Sequence, residues 1–498
     1  MKVSELITKE EINTWKNGDI LTIQSGTGTG KSFFIKNSLY DVAKENGQMI
    51  LFLIHRTNCI NQFQMEIEED KKTDVIELKT YQSIEARYKK GETFDFSKYH
   101  YIVCDEFHYF MNDTGVNKFT DVSLDNILNE NNSIRILMSA TGGFVRKYLE
   151  EKKELNLMPP YRIPRDYNFI KSLQLYYKNE SLIDSVEWLI KNKHKTIIFI
   201  NNVEEALNLY KQFKEHSMFV CSKSKTKEYK YVDESKVKVM LKEERFETLL
   251  LITTSVLDTG VNILDDDLHH IICDVSDVGT LVQCVGRKRL KDENDYINLL
   301  VKGLNGQQIG WHIATLKKRI KKADYFLEHG EQKYLREYPR ESDEIIYSVW
   351  ENDRQVSKVN DIAYFAAKCS LDIFEQMIRE SFKTVMSKTF LMDENEISLR
   401  DKTPEALIRD IKSLEEYLEY LSVNKIELLR TKDRIELISK INLNRKGKLI
   451  KGRKDLNGKL DKLKLSYQIE QLNETSRIGE NGKKENYKAI WVVKKINV

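Results

Sequence analysis

Residues 25–32, Ser25-Gly26-Thr27-Gly28-Thr29-Gly30-Lys31-Ser32, follow the apolar run Leu21-Thr22-Ile23 and combine three glycines with a lysine and a hydroxyl. Glycines let backbone N–H groups converge on phosphate oxygens, and the helix that follows adds its positive end. Gly26, Thr27, Gly28, Thr29, Gly30 and Lys31 are therefore expected to hold a nucleoside triphosphate, with Lys31 on the terminal phosphates and Ser32 on Mg2+. Ser25 stands where the general pattern has glycine. About 75 residues downstream, the apolar Tyr101-Ile102-Val103-Cys104 runs into Asp105-Glu106-Phe107-His108. A strand that ends this way presents both carboxylates at the carboxyl edge of a sheet, beside the phosphate loop. Asp105 is expected to hold the metal through water, and Glu106 to orient or deprotonate the attacking water.

Such residues need a rigid frame, and the chain supplies a pattern for one. Ile20–Ile23, Met49–Ile54, Val75-Ile76, Tyr101–Cys104 and Ile134–Met138 are short apolar runs separated by helical stretches such as Lys31–Glu45 and Asn58–Glu68. Uniformly apolar runs alternating with amphipathic helices predict a doubly wound parallel sheet. Leu155–Pro164 interrupts the pattern with three of the five prolines. The alternation restarts through Leu173–Tyr177, Thr196–Ile200, Met218–Cys221, Thr248–Thr253, His270–Asp274 and Tyr296–Val301, which predicts a second α/β unit.

With these elements in place the chain resembles the superfamily 2 DExH-type (DEAD/DEAH-like) helicases of bacterial or phage type, over about residues 20–305. The resemblance implies two tandem RecA-like domains, 1–158 and 159–305, closing on ATP or another NTP with Mg2+. Ser139-Ala140-Thr141 matches the motif that couples hydrolysis to nucleic-acid binding, and His108 joins Ser139 and Thr141 in that role. His55-Arg56 and Thr80-Tyr81-Gln82-Ser83 resemble motifs that hold the nucleic-acid backbone. Thr253–Asn262 is similar to the motif in which Thr254 touches nucleic acid while Gly260 and Asn262 approach nucleotide. Gln283-Cys284-Val285-Gly286-Arg287-Lys288-Arg289-Leu290 resembles Q-x-x-G-R-x-x-R, the motif that sends arginines across the cleft, so Gln283, Arg287 and Arg289 are expected at the catalytic centre. The last family arginine falls on Leu290. Arg289 comes one residue early, about 100° of rotation on a helix, so it is expected to reach the phosphates from a different angle or to serve nucleic acid, with Arg287 as the finger. No adenine-selecting glutamine motif precedes the phosphate loop, and the 22 residues between Gly260 and Gln283 leave no room for an added strand-separating hairpin.

Beyond 305 the pattern changes. Residues 306–400 read as a helical accessory region: Gly310–Glu328, a hairpin from Ile345–Val349 and Gln355–Val359, then a helix over Asp361–Met386. Residues 401–498 read as a basic helical region: helices over Thr403–Tyr420, Val423–Ser439 and Leu456–Asn473, then a terminal β-hairpin over Arg477–Lys495, winged-helix-like in outline. The net charge of +3 conceals an asymmetry, because residues 401–498 carry about +8 and leave about −5 for 1–400. Residues 441–460 hold seven Lys/Arg against Asp455 alone, so Lys446, Lys451 and Arg453, with Arg445, Lys448 and Lys454, are expected to draw a nucleic-acid backbone. Trp491 and Tyr487 among lysines offer stacking; the competing reading is a helical cap with Trp491 turned inward.

Six scattered cysteines without a C-x-x-C pair argue against zinc, iron–sulfur or disulfide frameworks and fit a reduced, cytoplasmic setting. No run is long and apolar enough for a membrane span. The expected function is an NTP-dependent helicase or translocase acting on a single strand, or on a duplex with a single-stranded end, with room for a protein partner at the C-terminal region. Two alternatives stand beside it: a nucleic-acid-stimulated NTPase clamp or remodeller that separates no strands, and a nucleic-acid-binding protein with impaired turnover.

Overall fold

A computed structural model describes the chain except for residues 27, 56, 116, 255–261, 293, 340–344, 352–353, 403, 446–447, 479–483 and 497–498. The first sheet is built from β1 (Ile20–Gln24), β2 (Ile50–Ile54), β3 (Ile76–Thr80), β4 (Tyr101–Asp105), β5 (Ile134–Ser139) and β6 (Tyr161–Arg162). Its strands run parallel in the order β3-β2-β4-β5-β1-β6. β2 is buried along its whole length, as Ile-Leu-Phe-Leu-Ile must be in a sheet covered on both faces. One face packs Phe34, Leu39, Val42 and Ile67, and the other packs Tyr81, Phe110, Leu124 and Leu149. Because all strands are parallel, the segments that follow β1, β2, β3, β4 and β5 emerge at one edge.

The second sheet contains β7 (Ile170–Tyr176), β8 (Lys195–Ile200), β9 (Ser217–Val220), β10 (Leu250–Thr253), β11 (Leu268–Asp274) and β12 (Ile297–Lys302). These strands are also parallel, in the order β7-β12-β11-β8-β10-β9. The two tandem parallel-sheet domains expected from the alternation are both present.

Helix Gly306–His329 and the hairpin β13 (Ile346–Glu351) and β14 (Arg354–Val359) follow, close to the expected bounds. The expected helix over Asp361–Met386 is two helices, Asp361–Glu380 and Phe382–Phe390. Ser381 breaks it with a φ of +104°, and its hydroxyl accepts from Thr384 N at 3.1 Å to start the second. Ile362, Phe365 and Cys369 join the core of the first sheet, with the Phe365 ring 5.5 Å from that of Tyr148. Asn360, fully buried, caps Asp361–Glu380 through Ala363 N and donates to Lys118 O at 3.1 Å. Residues Met1–Ser398 form one compact unit and Leu399–Val498 another.

The second unit is mainly helical with terminal antiparallel strands, and three of its elements differ from expectation. Val423–Ser439 resolves into the end of helix Pro404–Val423, a turn, and helix Thr431–Ile441. The helix expected to reach Asn473 spans Arg453–Lys462. Tyr467–Gln471 is instead a strand paired with Trp491–Lys495, and the hairpin Ser476–Ile478/Lys484–Asn486 lies between them in sequence. The Tyr467-Gln468-Ile469 alternation has the two-residue period of a strand, which the leucine stripe before it obscured. Trp491 is 8% exposed in the core of this unit, with the Arg434 guanidinium 4.8 Å over its ring, so it offers no stacking surface. Among the described residues no helix is long and apolar enough to cross a membrane.

Candidate nucleotide-hydrolysis site

The phosphate loop leaves β1 at Ser25 and enters a continuous helical stretch at Lys31, through Lys31–Phe34, a π-wound turn Ile35–Leu39, and Tyr40–Glu45. Gly28 and Gly30 have φ of +78° and +86°, a conformation that excludes most other residues. Ser25 is 2% exposed, and its hydroxyl accepts from Thr29 Oγ1 at 2.9 Å. The departure from glycine thus braces the loop internally. Lys31 Nζ donates to Ser25 O at 3.1 Å and Gly26 O at 3.2 Å, so the ammonium rests on the loop's own carbonyls.

β4 delivers Asp105 and Glu106 to the same edge, two strands from β1. Glu106 has a φ of +49°, a strained turn for a residue with a Cβ. Burial, and the Glu106 carboxylate beside it, push the Asp105 carboxyl above its ordinary range. Burial acts on Glu106 too, but Lys31, His108 and Arg287 outweigh it and hold that carboxyl well below its ordinary range. One carboxylate is thereby kept ionised while its neighbour responds to whatever charge enters the site.

His108 connects the two sheets. Its Nδ1 lies 2.7 Å from Ser139 Oγ and 3.1 Å from Glu106 Oε2, and its Nε2 lies 2.7 Å from Gln283 Nε2. An amide N–H on Nε2 leaves the imidazole proton on Nδ1, aimed at the hydroxyl and carboxylate. Gln283 Nε2 also donates to Thr141 Oγ1 at 3.1 Å. His108, Ser139, Thr141 and Gln283 therefore form one hydrogen-bonded chain from Glu106 to the second sheet.

Gln283 belongs to helix Val278–Val285, which ends before the arginines. Arg287 lies in the turn that follows this helix, and Lys288 sits in an isolated parallel bridge: Ile263 N donates to Arg287 O at 3.0 Å and Arg289 N donates to Ile263 O at 2.9 Å. The 100° rotation expected for a helix does not apply. The residues flanking a bridged residue lie on the side opposite to its own side chain, and Arg287 and Arg289 both line the cleft while Lys288 is buried against Asp295. Arg289 Nε donates to Asn262 Oδ1 at 2.8 Å, while its Nη1 has no hydrogen-bond partner and would lie 3.9 Å from a Cβ at Gly28. Burial and the adjacent Arg287 push the Arg289 guanidinium down to about 10. A cavity of about 360 Å³ is bounded by Gly28, Lys31 and Ser32 on one side, Asp105 and Glu106 at its floor, and Asn262, Arg287 and Arg289 opposite. A nucleotide fits this volume. Ser32 and Asp105, hydroxyl and carboxylate, are the oxygen donors that Mg2+ prefers.

Other expected residues lie elsewhere. His55 is 5% exposed and lines this cavity, so it is not on an open nucleic-acid surface. Thr80 Oγ1 accepts from Ser83 N at 3.1 Å and caps helix Tyr81–Lys89. Thr254, at 9% exposure, follows β10. Asn262, expected at nucleotide, lines the cavity and also holds Arg289. Thr27, Arg56, Gly260 and Lys446 lie outside the described residues. In the second unit Lys451 is exposed, and Arg453 Nη1 donates to Ile469 O at 3.4 Å. Phe63 and Glu66 also line the cavity from helix Thr57–Glu69, with Glu66 paired to Lys36; sequence reasoning missed them, although their i, i+3 spacing on an amphipathic helix is visible.

Fold and site define a phosphate-loop NTPase built on two RecA-like sheets. Family models match in chain order: the res subunit of type III restriction enzymes over residues 3–143, and the C-terminal part of the CRISPR-associated nuclease/helicase Cas3 over 192–292. These two matches, each to part of the chain, support a helicase of superfamily 2, a family of nucleic-acid-dependent, NTP-driven motors. No curated protein matches the chain. Similar solved structures include S. cerevisiae Dbp5 bound to RNA and ADP BeF3, at 16% identity and a TM-score of 0.45, covering 60% of this chain and 82% of that one. The DEAD-box helicase Mss116 bound to ssRNA and UDP-BeF aligns at 15% identity and 0.46, covering 78% and 86%. The Escherichia coli DEAH/RHA helicase HrpB aligns at 12% identity and 0.43, covering 75% and 50%.

Proposed function

We propose that this chain is an ATP- or other NTP-dependent helicase or translocase, with residues 1–158 and 159–305 as its motor domains. The observation that carries this reading is the convergence of Lys31, Asp105 and Glu106 from one sheet with Arg287 and Arg289 from the other around a single cavity. Lys31 exchanges its loop carbonyls for phosphate oxygens, and the loop glycines present N–H groups to the remainder. Ser32 and Asp105 would hold Mg2+, which would supply charge neutralisation on the transferring phosphoryl group. Glu106, kept ionised, orients the attacking water and accepts its proton. Arg287 and Arg289 meet the charge that develops on the phosphoryl oxygens.

His108, Ser139, Thr141 and Gln283 make that chemistry depend on closure, because they tie Glu106 by hydrogen bonds to the second domain. Nucleic acid held by both domains then favours hydrolysis, and phosphate release relaxes the grip. Phosphate release and strand displacement measured on the same preparation, with and without single-stranded DNA and RNA, test the reading. Stimulated release with displacement supports a helicase, stimulated release alone supports the clamp or remodeller, and unstimulated release rejects a nucleic-acid motor.

A further inference from the structure

We propose that Lys288 is a positioning residue that aims Arg287 and Arg289 into the nucleotide cleft by anchoring the segment between them; this deepens the reading of the preceding subsection. Lys288 points opposite to both arginines, and its side chain is 1% exposed. Its Nζ pairs with Asp295 Oδ2 at 2.8 Å and donates to Asp265 O at 2.9 Å. Asp265, itself 1% exposed, is paired with Lys195 Nζ at 2.6 Å at the start of β8, and Lys291 N donates to Asp295 Oδ2 at 3.0 Å. The ammonium is therefore tied to the segment that precedes β12 and to a loop pinned on β8, while the backbone on either side of it bridges to Ile263.

This arrangement accounts for the register of the motif. The two arginines share a side because the residue between them is bridged, and the bridge needs a partner and a reason not to coil. Ile263 provides the first and the buried Lys288 provides the second: any rotation of the segment that moved the arginines would pull an ammonium out of a closed ion-pair network, which is strongly disfavoured. Arg289 also takes its aim from Asn262, the neighbour of Ile263, so both arginines are referenced to the same bridge.

The test uses the full chain with Lys288→Met, which keeps the stem and removes the charge. Single-turnover NTP hydrolysis is measured in two backgrounds, unmodified and Arg287→Ala/Arg289→Ala. Positioning predicts a fall in turnover on the order of 10²-fold in the first, with KM nearly unchanged, and almost none in the second, since misaimed groups that are absent cost nothing. The same fold-loss in both backgrounds, or no loss in the first, overturns the proposal. Backbone amide exchange over 286–290 reads the anchoring without reference to hydrolysis: it should rise in Lys288→Met, and unchanged exchange also overturns the proposal. A chain that shows faster exchange but has no turnover even unmodified would leave the anchor standing and reject the proposed function instead. If the single variant does not fold, Lys288→Met with Asp295→Leu removes both charges and takes its place in the same measurements.

Discussion

At the scale of single residues, the centre divides binding from chemistry. Lys31 Nζ rests on the loop carbonyls that it would exchange for phosphates, so Lys31→Ala should weaken nucleotide affinity and turnover together. Glu106 lies at the cavity floor with His108 and Ser139 behind it, so Glu106→Gln should keep nucleotide affinity within a few-fold and lower turnover by about 10² to 10⁴. Equilibrium binding of a fluorescent nucleotide beside phosphate release separates the two, and near-normal release by Glu106→Gln would remove that residue from the chemistry. Arg289, across the bridged Lys288 from Arg287, should not be the lesser arginine. Arg287→Ala and Arg289→Ala are each expected to lose on the order of 10³ in single-turnover rate. Retention of most activity by Arg289→Ala would show that its Nη1 beside Gly28 never meets phosphate.

At the scale of elements, the hairpin β13/β14 is fixed to the first sheet's domain by a polar contact with a pH signature. Tyr347 OH donates to Asp121 Oδ2 at 2.9 Å, and burial pushes the Asp121 carboxyl up to about 7. In the unfolded chain that carboxyl titrates near ~3.9, so between about pH 4 and pH 7 the folded state binds more protons and its stability falls as pH rises. Asp121→Asn keeps an acceptor for Tyr347 without the charge. It should raise the melting temperature at pH 8 by several degrees and change it little at pH 4; an equal shift at both would show that burial of the charge is not the cause. Helix Asp361–Glu380 is tied to the same domain by Phe365, at 6% exposure. Phe365→Ala should cost ~3 to 5 kcal/mol in denaturant unfolding, as a buried aromatic in a shared core does.

At the scale of the whole molecule, charge is distributed unevenly between a slightly acidic 1–400 and a basic 401–498. If the basic segment grips a strand, each lost phosphate contact should reduce the slope of log K against log salt by about 0.7 for single-stranded nucleic acid. Lys451 and Lys454 are exposed, so Lys451→Glu/Lys454→Glu tests this without disturbing a core. The slope for a labelled oligonucleotide should flatten by at least ~1.4 while hydrolysis without nucleic acid is unchanged. A slope equal to that of the unmodified chain would take these lysines off the binding surface.

The phosphate loop, the Asp-Glu pair and the parallel strands that carry them were legible in the sequence because each is local: a glycine needed at positive φ, an apolar run, a carboxylate at a strand end. Gln283, Arg287 and Arg289 were legible as a motif, but their directions were not. Whether Arg289 turns away from Arg287 or alongside it depends on whether Lys288 is helical or bridged, and that is settled by Ile263 and Asp295, which sequence distance hides. The same holds for His55 and Trp491, whose burial comes from packing by elements remote in the chain, and for Tyr467–Gln471, which is a strand because Trp491–Lys495 pairs with it. Local chemistry selects which residues can act, while non-local hydrogen bonds and buried charge pairs decide where each of them points.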